Sequence, residues 1–306
     1  MSMAARQRRL GMFGVLSAAI LWGTTGTAAT FAPQVSAVAI GAVAMGMGGI
    51  LQALFAAQSI ARFAEQLRHN GYILLIGAIA VAIYPLAFYA SMHLAGVTVG
   101  TVITIGSAPL FSALIEYCRE GKKLSARWIL GASLGLVGML LLSIAKNGSH
   151  QQASESTAIL SGIILGLIAG FTYALYSWAA HRLMQRGITS RAAMGATFGI
   201  GGILLMPILA VTGASLLDSW NNAAVGIYMA LVPMFMGYLC YGYGLARIPA
   251  SMATAITLIE PAIAAILAVL IIGERLVVTG WIGIILIVAC LLLITLPTNL
   301  KEASKQ

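Results

Sequence analysis

Glu260 stands directly before Pro261 inside a long apolar run, and a carboxylate there is the most chemically loaded group in the chain. Burying its charge unpartnered costs several kcal/mol, so the group must be protonated, hydrogen-bonded or open to a water-filled cavity. One role is a proton-coupling site or a contact for a substrate amino group. The other is a helix-end carboxylate satisfied by nearby Ser, Thr or Tyr hydroxyls. Rings gather in three further stretches: Tyr84, Tyr89 and His93; Tyr173, Tyr176, Trp178 and His181; Tyr238, Tyr241 and Tyr243. At helical spacing Tyr89 shares a face with His93, and Tyr173 with Tyr176. Such rings either line an amphipathic cavity or sit in the belt at a membrane surface, the natural place for His93, Tyr243 and Trp220. Thr24 and Thr25, just past Trp22-Gly23, are placed to hydrogen-bond the polar end of a substrate.

Other chemistries find little support. The four histidines, His69, His93, His150 and His181, are scattered, so no metal site and no cofactor is expected. Cys118, Cys240 and Cys290 form no CxxC pair and read as small packing residues. Gly131-Ala132-Ser133-Leu134-Gly135 matches the nucleophile pattern of serine hydrolases, but it lies in an uninterrupted apolar run rather than at a strand-to-helix elbow. No phosphate-binding G-x-x-x-x-G-K-[ST] loop occurs, so energy must come from a gradient or a partner. A channel would need a continuous polar stripe. An enzyme would need clustered catalytic groups.

The elements that position these residues are membrane helices. Hydrophobic residues make up 60% of the chain and charged residues 8%, a balance a soluble domain cannot carry. Ten windows are long enough to cross a bilayer, at about 10–31, 33–56, 71–92, 97–117, 126–145, 157–182, 191–213, 222–245, 249–272 and 277–297. The net charge of +9 belongs to membrane topology rather than to nucleic acid. With the amino terminus inside, all but Lys146 and Arg275 of the 17 basic residues fall in inner segments, so both termini are expected in the cytoplasm. The basic start, Arg6, Arg8 and Arg9, resembles a signal peptide, but the run after it is long enough to be a retained first helix.

A shift of 152 positions sets Pro109 on Pro261, Ala113 on Ala265, Gly121 on Gly273 and Leu124 on Leu276. A shift of 151 sets Gly11 on Gly162 and Trp22 on Tyr173. Two five-helix copies follow, 1–147 and 157–298, with a polar hinge from Lys146 to Thr157. Because five is odd, the second copy enters the membrane inverted. Gly162, Gly166 and Gly170, like Gly131 and Gly135, recur every four residues and mark faces where helices approach closely. Pro109 and Pro261 should bend their helices, either at a cavity wall or as plain kinks. Glu116 is expected at the cytoplasmic surface near Arg119 and Lys122.

The segment Ala18-Ala19-Ile20-Leu21-Trp22-Gly23, the Pro109 and Glu260-Pro261 sites, and Gly273-Glu274-Arg275-Leu276 followed by Gly280-Trp281-Ile282-Gly283 resemble the drug/metabolite transporter superfamily in its EamA branch. Within it the chain is most similar to YddG-type exporters of aromatic amino acids. The first copy departs from the pattern with Lys122-Lys123-Leu124 where the second has Glu274-Arg275-Leu276. The resemblance implies an all-α basket of ten helices around a central cavity, working in a bacterial inner membrane, often on the proton gradient. The expected activity is export of amino acids with aromatic or other apolar side chains by alternating access, as a monomer, with protons as coupling partner and no nucleic acid. Trp22, Thr24, Thr25, Tyr84, Tyr89, Tyr173, Tyr176, Tyr238 and Glu260 are the expected substrate site. A multidrug or other small-metabolite exporter is the alternative within the class, and a channel or membrane enzyme the alternative outside it.

Overall fold

The computed structural model describes residues 3–146, 156–273 and 275–296, and among these the regular structure is entirely helical. Most of the expected hinge between the copies, Glu274 of the expected turn, and the tail bearing Lys301 and Lys305 lie outside the described residues. Ten helices are long and apolar enough to cross a bilayer: Met3–Ala29, Ala37–Phe55, Gly71–Ala95, Val99–Glu120, Ala126–Ala145, Thr157–Gln185, Ser190–Leu216, Trp220–Leu245, Ala250–Ile272 and Val278–Thr295. Each is within a few residues of its expected window, except that the first begins seven residues earlier. Their outer faces are apolar, with Phe13, Leu114, Leu160, Val211, Leu270 and Ile285 all exposed, as the bilayer requires of a multi-pass protein.

Local sequence explains several starts and breaks. Ser36, Thr189 and Ser219 cap the second, seventh and eighth spans, each side-chain oxygen accepting from a first-turn amide at 3.2, 3.4 and 3.1 Å. Four spans are interrupted. The first breaks at Thr24; the second and eighth carry π-helical stretches at Val43–Met47 and Ala230–Met236, the latter around Pro233. The ninth runs as an α-helix over Ala250–Ile256, a 3-10 turn over Thr257–Ile259, a new α-helix from Glu260 and a π stretch over Ala268–Ile272. Pro261 lies in the first turn of the restarted helix, where its missing N–H is no loss. Pro109 lies inside a helix that continues from Val97 to Glu120. The two aligned prolines thus produce different backbones.

Helix pairing follows the small residues. Gly162, Gly166 and Gly170 bring the sixth span against the third and fourth, where the Ser91 hydroxyl donates to the Gly162 carbonyl at 2.7 Å and Thr104 to that of Gly166 at 3.2 Å. The first span packs on the eighth and ninth, the second on the seventh, and the fifth on the tenth through Gly131 and Gly135. A Cβ on Gly170 would fall 2.0 Å from Ser107 Oγ and 2.7 Å from the Thr104 carbonyl oxygen. Gly170→Ala is therefore expected to cost ~1–3 kcal/mol by overpacking. A lower midpoint for thermal loss of the monodisperse detergent-solubilised peak would register it; an unchanged midpoint would show that the helices separate without cost.

The hydrogen bonds between loops define two faces. The face bearing the amino terminus joins Arg247 to Gln7 at 2.8 Å, Ser59 to Thr189 at 2.8 Å and Arg186 to Asn70. On the opposite face Asn221 donates to the Phe31 carbonyl and Asn222 to that of Ser215. Four buried side-chain atoms have no hydrogen-bond partner among the described residues: both amide atoms of Gln52, Ser112 Oγ and Thr197 Oγ1.

Candidate functional site

A cleft lies inside the bundle between the first and second halves of the chain. The first span contributes Trp22 and Thr25, the second Gly41, Ala44 and Met45, and the third Tyr84, Pro85, Phe88 and Tyr89. From the second half come Tyr173, Tyr176, Met229, Met234, Tyr238 and Glu260. Its volume is about 60 Å³, room for a few water molecules. Larger hollows exist on the outside of the bundle, including a groove of about 480 Å³ at Leu110, Tyr117, Lys123 and Trp128. That groove faces the surroundings and is almost wholly apolar, whereas the cleft joins both halves and carries a carboxylate.

The rings form one connected cluster. Trp22 sits 4.8 Å from Tyr238, 5.2 Å from Tyr241 and 6.4 Å from Tyr173, while Tyr84 is 5.7 Å from Tyr173 and stacks on Phe88 at 5.8 Å. Offset and edge-to-face contacts of this kind stabilise aromatic clusters beyond simple area burial. The interruptions described above build it. The Trp22 indole N–H donates to the carbonyl of Pro233 in the eighth span's π stretch at 2.8 Å. A Cβ at Gly237 would come within 2.7 Å of the indole nitrogen, and one at Gly41 within 2.1 Å of the Tyr89 ring, so both rings rest on bare backbone. Tyr173 pairs with Thr257 at 2.9 Å in the 3-10 turn of the ninth span, and Tyr176 with Tyr238 at 2.8 Å.

Of the residues expected to bind substrate, Trp22, Thr25, Tyr84, Tyr89, Tyr173, Tyr176, Tyr238 and Glu260 come together around this cleft. Thr24 does not. Its hydroxyl donates to the Leu21 carbonyl at 2.6 Å and accepts from Tyr228 at 2.8 Å, because the break in the first span turns it away. Pro109 likewise lies elsewhere: within its continuous helix it borders an outer groove with Gly106, Trp128 and Leu136. Pro261 is not among the lining residues and serves the helix restart that presents Glu260. Sequence reasoning passed over Pro85, Phe88 and three methionines, residue types that are ordinary in any apolar helix.

Glu260 lines the cleft and makes no hydrogen bond and no ion pair among the described residues. Lys122 instead pairs with Glu120 at 2.6 Å, at the face bearing the amino terminus. Toward that face the cleft is sealed. The Tyr241 hydroxyl donates to Ser177 at 2.8 Å, the His181 ring meets the Leu245 carbonyl at 2.6 Å, and Ala250, Ala253 and Ile256 are fully packed. Glu116, expected beside Arg119 and Lys122, instead reaches the ninth span. It accepts from the Ser251 hydroxyl at 2.5 Å and the Ser251 amide at 3.2 Å, capping the start of that helix.

The family model for EamA-like transporters matches this chain twice, over residues 9–144 and 160–296. The chain belongs to the EamA-like transporter family. Relatives of this EamA-like transporter include an uncharacterized transporter of Bacillus subtilis, YwfM, 31% identical over 94% of this chain and 95% of that one. The threonine/homoserine exporter RhtA of Escherichia coli is 24% identical over 86% of this chain and 83% of its own. A probable terminal-alkyne amino-acid exporter of Streptantibioticus cattleyicolor is 24% identical, over 83% and 86%. A crystal structure sharing 17% identity matches the fold with a TM-score of 0.77, covering 97% of this chain and 99% of its own.

Proposed function

We propose that this transporter exports amino acids with aromatic or other apolar side chains, and similar small amphipathic metabolites, by alternating access through the central cleft. The observation that carries the reading is Glu260, an unpaired carboxylate in a cleft walled by rings and built from both halves of the chain. The rings receive the apolar body, and Glu260 holds the amino group or a coupled proton. Two relatives named as amino-acid exporters support the substrate class. We take the chain to act as a monomer in a bacterial inner membrane with both termini cytoplasmic, an orientation supported by the distribution of its basic residues.

The same reading makes the chain an inverted pair of five-helix units, 1–147 and 157–298. In support, packing partners exchange under the repeat correspondence. Sixth-on-third and sixth-on-fourth become first-on-eighth and first-on-ninth, while second-on-seventh and fifth-on-tenth map onto themselves. Counterflow of labelled amino acids in proteoliposomes at two pH values tests substrate and proton coupling together. Saturable exchange of aromatic amino acids is expected. Flux that never saturates would make it a channel, and exchange confined to bulky drugs would favour the multidrug alternative.

Alternation requires the sealed face to open. Glu116 links the fourth span to the ninth there, and removing a charged acceptor of this kind costs ~1.5–3 kcal/mol. Glu116→Ala is expected to speed labelling of a cysteine placed at the buried Ala253, with Cys118 replaced, by an impermeant thiol reagent applied from the sealed side. Unchanged labelling would mean that the Ser251 contact does not hold that side shut.

A further inference from the structure

The cleft holds one ionisable acid and nothing to balance a second charge. None of its lining residues is basic, and Glu260 is the one acid among them. Its hydrogen-bond donors are mostly in use. The Trp22 N–H is held by Pro233 and the Thr25 hydroxyl by the Trp22 carbonyl at 2.7 Å. Thr257 donates to the Thr254 carbonyl at 2.8 Å, so in the Tyr173–Thr257 pair the phenol must be the donor. Of Tyr176 and Tyr238 one hydroxyl donates to the other, which leaves a single phenol proton of the pair free. Uncommitted neutral phenols remain, chiefly Tyr84 and Tyr89. An ammonium group entering here meets Glu260 and several ring faces, both of which favour a cation. A carboxylate entering with it meets neutral phenols and no cation, and is repelled by Glu260 once that acid has ionised to pair with the ammonium, after losing its water.

Resting on the reading of the cleft as the substrate site, we propose that its preferred cargo is an amphipathic monocation: a primary ammonium on an aromatic or apolar body with no free carboxylate. Decarboxylated amino acids and amino-acid amides or esters belong to this class. The zwitterionic amino acid of the same side chain ranks below them, and the corresponding carboxylic acid is excluded.

Titration calorimetry on the full chain in lipid nanodiscs, with phenethylamine, phenylalanine amide, phenylalanine and phenylpropionate, decides the order. Both amines are expected to bind about tenfold or more tightly than phenylalanine, with no saturable binding of phenylpropionate. Glu260→Gln should collapse the difference, while the wild-type ranking stands as a test even if that variant folds poorly. Phenylalanine binding as tightly as the amines would overturn this proposal and leave amino-acid export intact. Saturable binding of phenylpropionate would overturn the charge argument itself. If none of the four binds saturably, both the proposal and the assignment of the cleft as substrate site fall.

Discussion

Glu260→Gln is expected to lower the affinity for an ammonium-bearing substrate by about 2 kcal/mol or more, roughly 30-fold, with export falling in step. Gln keeps the size and the acceptor oxygen but not the charge. The effect should be large because the carboxylate has no competing protein partner and lies among apolar rings, where a charge pair is only weakly screened. Its position at the first residue of the restarted helix adds a smaller contribution, since a negative group there favours the helix and loses that role when neutralised. Binding and proteoliposome flux, measured at equal expression and with the fold checked by size exclusion, separate the two effects. Loss of flux with unchanged affinity would place Glu260 in energy coupling and remove it from substrate recognition.

Trp22→Ala should be the most destabilising single change near the cleft, at ~3 kcal/mol, near the lower end of Trp→Ala losses because lipid rather than water is the outside reference. The ring touches Tyr173, Tyr238 and Tyr241, and its N–H ties the first span to the eighth. Trp22→Phe separates the two contributions. It retains most of the packing and removes the indole donor from the Pro233 carbonyl, for an expected cost of ~1–3 kcal/mol. Thermal inactivation midpoints of the two variants should fall in that order. Equal midpoints would show that the hydrogen bond, rather than the ring, holds the spans together.

The ten spans were legible because the bilayer demands about twenty apolar residues per crossing, and glycines at four-residue spacing pointed to helix faces that do pack, though not to their partners. Most of the cleft was legible too, since phenols, an indole and a carboxylate stand out in an apolar helix. Rotation was not. In lipid both faces of a helix are apolar, so nothing in the pattern says that Met45 and Phe88 look inward while Pro109 looks outward. Thr24 was misplaced because a one-residue break reoriented it. Glu116 was misread because its partner Ser251 is 135 residues away, beyond any local rule. The aligned prolines suggested matching bends, but one of them follows a 3-10 turn and restarts a helix, and the other sits in a helix that continues.

Gln52 has a consequence for turnover. Its amide, with the hydroxyls of Ser112 and Thr197, has no side-chain or backbone partner among the described residues, and a buried polar group left unpaired costs ~1–3 kcal/mol. A structural protein would gain by replacing them with apolar side chains. For a carrier the logic reverses, because a resting state at the bottom of a deep well would be slow to leave on every cycle. If the proposed alternation holds, unsatisfied groups spread over the second, fourth and seventh spans make the shut form shallower and quicker to leave.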